Sequence, residues 1–155
     1  MVPFIGQNWG AKKYERVIET FTVSCRFSLF WGFCCAILLN YYGSFLASYF
    51  TSDSEVHRVS VLYMRVVSIG LGFLGCTHVI SAGFFGLHKP MAATGLKVLR
   101  VLFFYLPLTA TGAYYKGIAG LIAGVGLSFV AGGLLALLWS NHMQKATCTS
   151  QKPTC

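Results

Sequence analysis

Charge is what this 155-residue chain has least of. Charged residues make up 10% of it, against about 25% in an ordinary soluble domain, so a conventional water-facing surface cannot be assembled from them. Acids are scarcer still: Glu15, Glu19, Asp53 and Glu55 are all there are, and none falls deep within a long apolar run. Prolines number four, too few to interrupt long helices often. The six cysteines include no CxxC pair, and Cys25, Cys34, Cys35 and Cys76 sit in apolar runs, where Cys acts as a small hydrophobe. A disulfide framework and a structural zinc site are therefore not expected, and no other metal-ligand spacing occurs. No charged start runs directly into a short apolar core with a small-residue cleavage site, so no secretory signal peptide is expected. Paired carboxylates, a phosphate loop and a Ser/His/Asp set are also missing, which argues against an enzyme and a resident cofactor.

What is abundant is apolar surface: 55% of residues, with a mean hydropathy of +0.65. The implied class is all-α, a polytopic membrane protein. Four apolar segments are each long enough to cross a bilayer core, which takes about 20 helical residues. They run over about 21–50, 59–87, 91–115 and 117–139. A mostly polar stretch, 1–20, precedes them, and a polar tail, 141–155, follows. Short connections around 51–58, 88–90 and Lys116 make neighbouring spans antiparallel.

The formal net charge of +8 would suggest nucleic acid in a soluble domain, but here the basic residues lie between apolar runs. They point to orientation in the bilayer and contact with anionic membrane lipid. Lys12, Lys13, Arg16, Arg26, Lys89, Lys97, Arg100, Lys145 and Lys152 fall on one side, and Arg58, Arg65 and Lys116 on the other. This asymmetry predicts both termini in the cytoplasm of a multi-pass inner (plasma) membrane protein. Lys97 and Arg100, in the opening turns of the third span, can snorkel to the headgroups if they sit near one end.

On the second span, a helical wheel gathers Ser68, Gly72, Gly75, Cys76, Val79, Gly83 and Gly86 on one face, and Ile69, Phe73, Ile80, Phe84 and Leu87 on another. The bulky face suits lipid. The small face allows close helix approach or lines a substrate path, for which Ser68, Gly72, Cys76 and His78 are the candidates. His78 is the titratable group nearest the centre of a span; a neutral histidine bonded to a neighbouring helix is the plainer alternative to a proton carrier. Gly120, Gly124, Ser128, Gly132 and Ala136 form a small-residue stripe read as a helix contact. Pro107, mid-way along the third span, predicts a kink.

Three stretches then carry a resemblance. Gln7, Gly10 and Ala11, within Pro3-Phe4-Ile5-Gly6-Gln7-Asn8-Trp9-Gly10-Ala11, resemble the Gln-x-x-Gly-Ala motif of multidrug and toxic compound extrusion (MATE) transporters. Gly83, Gly86, Lys89 and Pro90, running into Met91, resemble the Gly-rich helix end followed by Lys-Pro-Met in that family. Tyr105-Leu106-Pro107-Leu108 followed by Gly117-Ile118-Ala119-Gly120 resembles its fifth-helix Pro-Leu and sixth-helix start. The order and spacing agree over roughly residues 3–140.

The resemblance implies the last four helices of a transporter with two six-helix halves, with residues 1–11 closing the preceding helix. The chain would be a C-terminal fragment whose partner is the missing N-terminal part. The implied activity is export of organic cations or drug-like substrates by antiport with Na+ or H+. The carboxylates that bind the coupling ion would lie outside this chain, since the second span has no acid. A lipid-linked oligosaccharide flippase of the same superfamily and a small four-helix membrane scaffold are the alternative readings.

Overall fold

The computed structural model describes the backbone of residues 1–88 and 90–149, and side chains as far as Ser140. Lys89 and the tail cysteine Cys155 lie outside what it describes, as does the side chain of Cys148. All elements among the described residues are helical. Helix α1 covers Val2–Gly10, α2 Tyr14–Phe50 and α3 Ser54–Gly86. Helix α4 covers Pro90–Leu99, a π-helical stretch follows at Arg100–Tyr105, and α5 runs over Leu106–Thr149.

Apolar composition sets the spans, and local chemistry sets their ends. Helix α2 has 37 residues, about 55 Å at 1.5 Å per residue, so it is longer than a bilayer core and projects from it. It starts at Tyr14, ahead of the apolar run, because the polar stretch Glu15–Thr20 contains good helix formers. The connection before it is reduced to residues 11–13, where Lys12 takes a left-handed φ of 56°. The next connection is also shorter than the polar composition suggests, only residues 51–53. Asp53 caps α3 there, its Oδ1 accepting from Glu55 N at 2.8 Å and Val56 N at 3.3 Å.

Three stretches qualify as membrane spans by length and composition: Tyr14–Phe50, Ser54–Gly86 and Pro90–Ser140. The last is a hairpin in substance. Its helical geometry breaks at Lys116 (φ −133°) and at Gly117, whose φ of 57° and ψ of −137° suit glycine alone. The two legs fold back on each other. A Cβ on Gly120 would strike the Gly112 carbonyl, and one on Gly124 the Leu108 carbonyl. The small-residue stripe is thus a helix contact: Gly120 and Gly124 face the third-span leg, and Gly132 lies beneath the Arg100 side chain.

The kink expected at Pro107 takes a different form. Proline offers no N–H, and its ring crowds the carbonyl four residues earlier. The chain widens ahead of it into the π stretch, with Leu106 N donating to Val101 O five residues back. The misfit is absorbed over a full turn, and the helix resumes through Pro107.

Helix α3 is central. It contacts α1, α2, α4 and α5, whereas α2 has no comparable contact with α5. Side chains from α1 to α5 form one buried cluster at the end near α1 and α4: Ile5, Phe21, Cys25, Cys76, Ile80, Phe84, Leu96 and Ala136 among them. Val67, Ile122 and Val125 form a smaller cluster towards the other end.

This central position corrects one expectation. The bulky face of α3 does not meet lipid as a whole. Ile69 is 64% exposed, but Ile80 and Phe84 are buried. Phe84 lies 6.5 Å from Trp139, centroid to centroid, and Phe73 packs where a Cβ on Gly133 would be. A helix flanked on two sides buries its large face as well as its small one, so residue size does not separate protein from lipid. Phe84→Leu should therefore destabilise the fold by about 1–2 kcal/mol. Ile69→Leu is the appropriate lipid-facing control and should stay within about 0.5 kcal/mol. Thermal unfolding of the purified chain in detergent measures both, and equal melting of the two variants would contradict the packing described.

Candidate functional site

The seam between α2 and α3 is assembled from residues with almost no side chain. A Cβ on Gly32 would overlap the Gly72 backbone, so the two helices touch main chain to main chain. That proximity lets small polar groups bond across. Ser28 Oγ donates to Gly72 O at 3.2 Å, and Asn40 Nδ2 to Ser68 Oγ at 3.3 Å. Cys76 Sγ donates to Cys25 O at 3.6 Å. Three of the candidate path residues, Ser68, Gly72 and Cys76, are thus brought together, all buried and occupied by α2. His78 is set apart from them and exposed on another side of α3.

The motif residues are corners. Gln7 O accepts from Ala11 N at 3.0 Å, closing α1. Gly10 has open space around it, whereas Gly83 is packed under the Phe21 ring and Gly86 under Ile5. Pro90 opens α4, with its fixed φ suited to a first turn. These residues hold α1, α2 and α4 on the end of α3.

One residue that sequence reasoning undervalued stands out. Arg100 opens the π stretch, ten residues after Pro90, about 15 Å along the helix. Its aliphatic stem crosses Gly132, and its guanidinium carbon is 5.7 Å from the Phe129 ring centroid. Phe129 is nearly one turn closer to the Lys116 bend than Gly132 is. The head therefore does not snorkel towards the Pro90 end, as the sequence suggested. Arg100 Nε and Nη1 are shielded and donate to no acceptor among the described residues. Lys97, one turn earlier on the same helix, places Nζ 5.9 Å from the Phe85 ring. His78 lies within electrostatic reach of both Arg100 and Lys97. Each of the two cations thus has an aromatic ring beside it, Phe129 for Arg100 and Phe85 for Lys97. The signal available in the sequence was depth: a basic residue ten positions into a span is far from its end.

Among the described residues, no three of His, Cys, Asp or Glu come together in a way that could hold a metal ion. An open cleft of about 410 Å³ lies at the α2–α3 turn, lined by Ser44, His57, Arg58 and Arg65 among others.

Helices with this order, corners and backbone-to-backbone seam have known counterparts. The sequence pattern of the MatE family matches residues 1–111. The chain belongs to the MatE family. It is 28% identical over 134 residues to the FAD transporter of Shewanella oneidensis, a match covering 86% of this chain and 30% of that protein. Its fold superposes on the Vibrio cholerae MATE transporter VcmN in the bent form with a TM-score of 0.89, at 29% identity, covering 94% of this chain and 33% of that one. A mutant form of VcmN gives the same TM-score at 28% identity, covering 97% of this chain and 34% of its own. The chain thus spans about a third of the length of these relatives. As a MatE member with long apolar helices it is a multi-pass membrane protein of a transporter family, not of an enzyme family.

Proposed function

We propose that the chain forms part of an exporter that moves small organic solutes out of the cell in exchange for Na+ or H+, with both termini in the cytoplasm of the inner membrane. The observation that carries this reading is the MatE match over residues 1–111. The close superposition on VcmN over 94% of the chain supports it. The remainder of the transporter supplies the other helices and the carboxylates that bind the driving ion, since the acids here lie at helix ends and connections.

Two cargo classes compete. The sequence resemblance implies drug-like organic cations; the Shewanella oneidensis relative is named for a flavin nucleotide. The charged groups within the spans here are basic: Arg26, Arg65, Lys97 and Arg100. That balance favours an anionic solute over a cationic one.

A chimera tests the proposal. Replacing the matching third of the Shewanella oneidensis transporter with this chain should give a protein that releases FAD from cells lacking their own flavin exporter. A chimera that reaches the membrane in normal amounts but releases neither FAD nor a cationic dye such as ethidium would overturn it.

A further inference from the structure

Arg100 carries a charge that no acid among the described residues pairs. Two of its nitrogens are shielded yet have no acceptor among the described residues. Its contact with Phe129 is a cation–π interaction. Such an interaction offsets only part of the cost of an unpaired charge within a membrane, and charges kept there despite that cost mark solute or ion pathways. The acids of the chain, Glu15, Glu19, Asp53 and Glu55, are confined to the start of α2, the α2–α3 connection and the first turn of α3, and none pairs with it. The charged group nearest along the same helix is also a cation, Lys97, one turn away.

We propose that Arg100, assisted by Lys97, is the binding site for the phosphate group of a transported organic anion. The proposal rests on the transport reading above and adds the recognition element. Guanidinium donors match phosphate oxygens and form charge-assisted hydrogen bonds with them, while the ammonium of Lys97 supplies a second positive charge. Phe85 and Phe129 flank the two cations and offer apolar surface to the organic portion of the same solute. The same oxyanion chemistry is available from a phospholipid headgroup, and from a carboxylate contributed by the rest of the transporter, so the test separates these sources.

The chain is placed in phosphatidylcholine nanodiscs and titrated with FAD and with riboflavin, which shares the flavin but has no phosphate, following flavin fluorescence. FAD should bind at least about tenfold more tightly than riboflavin, the worth of one charge-assisted hydrogen bond. Arg100→Gln should abolish that preference, and Arg100→Lys should retain part of it. Unliganded Arg100→Gln should melt no lower than the parent, because it removes an uncompensated charge. Equal binding of the two flavins by the parent, or an undiminished preference in Arg100→Gln, overturns the proposal. A preference seen in phosphate-free dodecyl maltoside micelles but absent in phosphatidylcholine nanodiscs assigns the site to lipid phosphate, and a lower melting temperature for Arg100→Gln than for its parent in the unliganded chimera assigns it to a carboxylate of the rest of the transporter; either result contradicts a solute site. In the chimera, export that survives Arg100→Gln unchanged removes this site alone, whereas absence of export with Arg100 intact removes the transport reading.

Discussion

Gly32→Leu should eliminate most of the folded chain. A Cβ at this position overlaps the Gly72 backbone, and Leu71 C lies 3.3 Å away, so there is no flexible side chain to give way. The helices would have to separate. Separation would stretch the Ser28–Gly72, Asn40–Ser68 and Cys25–Cys76 bonds that cross the same seam. Overpacking a tight core costs about 1–3 kcal/mol when side chains can adjust, so a backbone clash with three bonds at stake should cost about 3 kcal/mol or more. Gly95→Ala is the control, because nothing lies within 4 Å of its added methyl. Size-exclusion yield and melting temperature in mild detergent measure both. A Gly32→Leu chain that elutes and melts like the parent would show that α2 and α3 are not in backbone contact.

Gly124→Leu should have a comparable effect on the hairpin. A Cβ there meets the Leu108 carbonyl, with Thr109 Cα 2.9 Å away. The obstruction lies next to the π stretch and Pro107, so the leg that must move is one whose register is already adjusted. Separating the legs would also expose Gly120 and Gly112 and loosen Arg100 from Gly132. The expected loss is about 2–3 kcal/mol, with a fall in folded yield similar to that of Gly32→Leu. Cross-linking of paired cysteines placed on the two legs should fall in parallel. Unaltered yield and cross-linking would place the stripe against lipid.

Much of the fold could be read from the sequence because membrane helices announce themselves by hydropathy, and close contacts by glycine spacing. The Gly120-to-Gly132 stripe and the bend near Lys116 belong to that class. The bulky face of α3 was misjudged because lipid and a neighbouring helix accept the same side chains, as Phe84 and Ile69 illustrate. The effect of Pro107 was visible, but its form was not: a π stretch requires i→i−5 bonding that composition does not encode. Ser68, Gly72 and Cys76 looked equally suited to a path and to a seam, since small size serves both. Arg100 was hidden for a different reason. Its depth in the span is legible, but a long basic side chain can still reach the headgroups from there, and the position of its head over Phe129 shows that this one does not.

The most direct measurement is flavin uptake into everted membrane vesicles that contain the chimera of this chain with the rest of the Shewanella oneidensis transporter. An imposed Na+ or proton gradient, high outside and low within the cell's frame of reference, should drive FAD accumulation in the vesicle lumen. Collapse of that gradient by the matching ionophore should stop it. FAD accumulation that is indifferent to both gradients, or none at all from a correctly inserted chimera, would contradict the account.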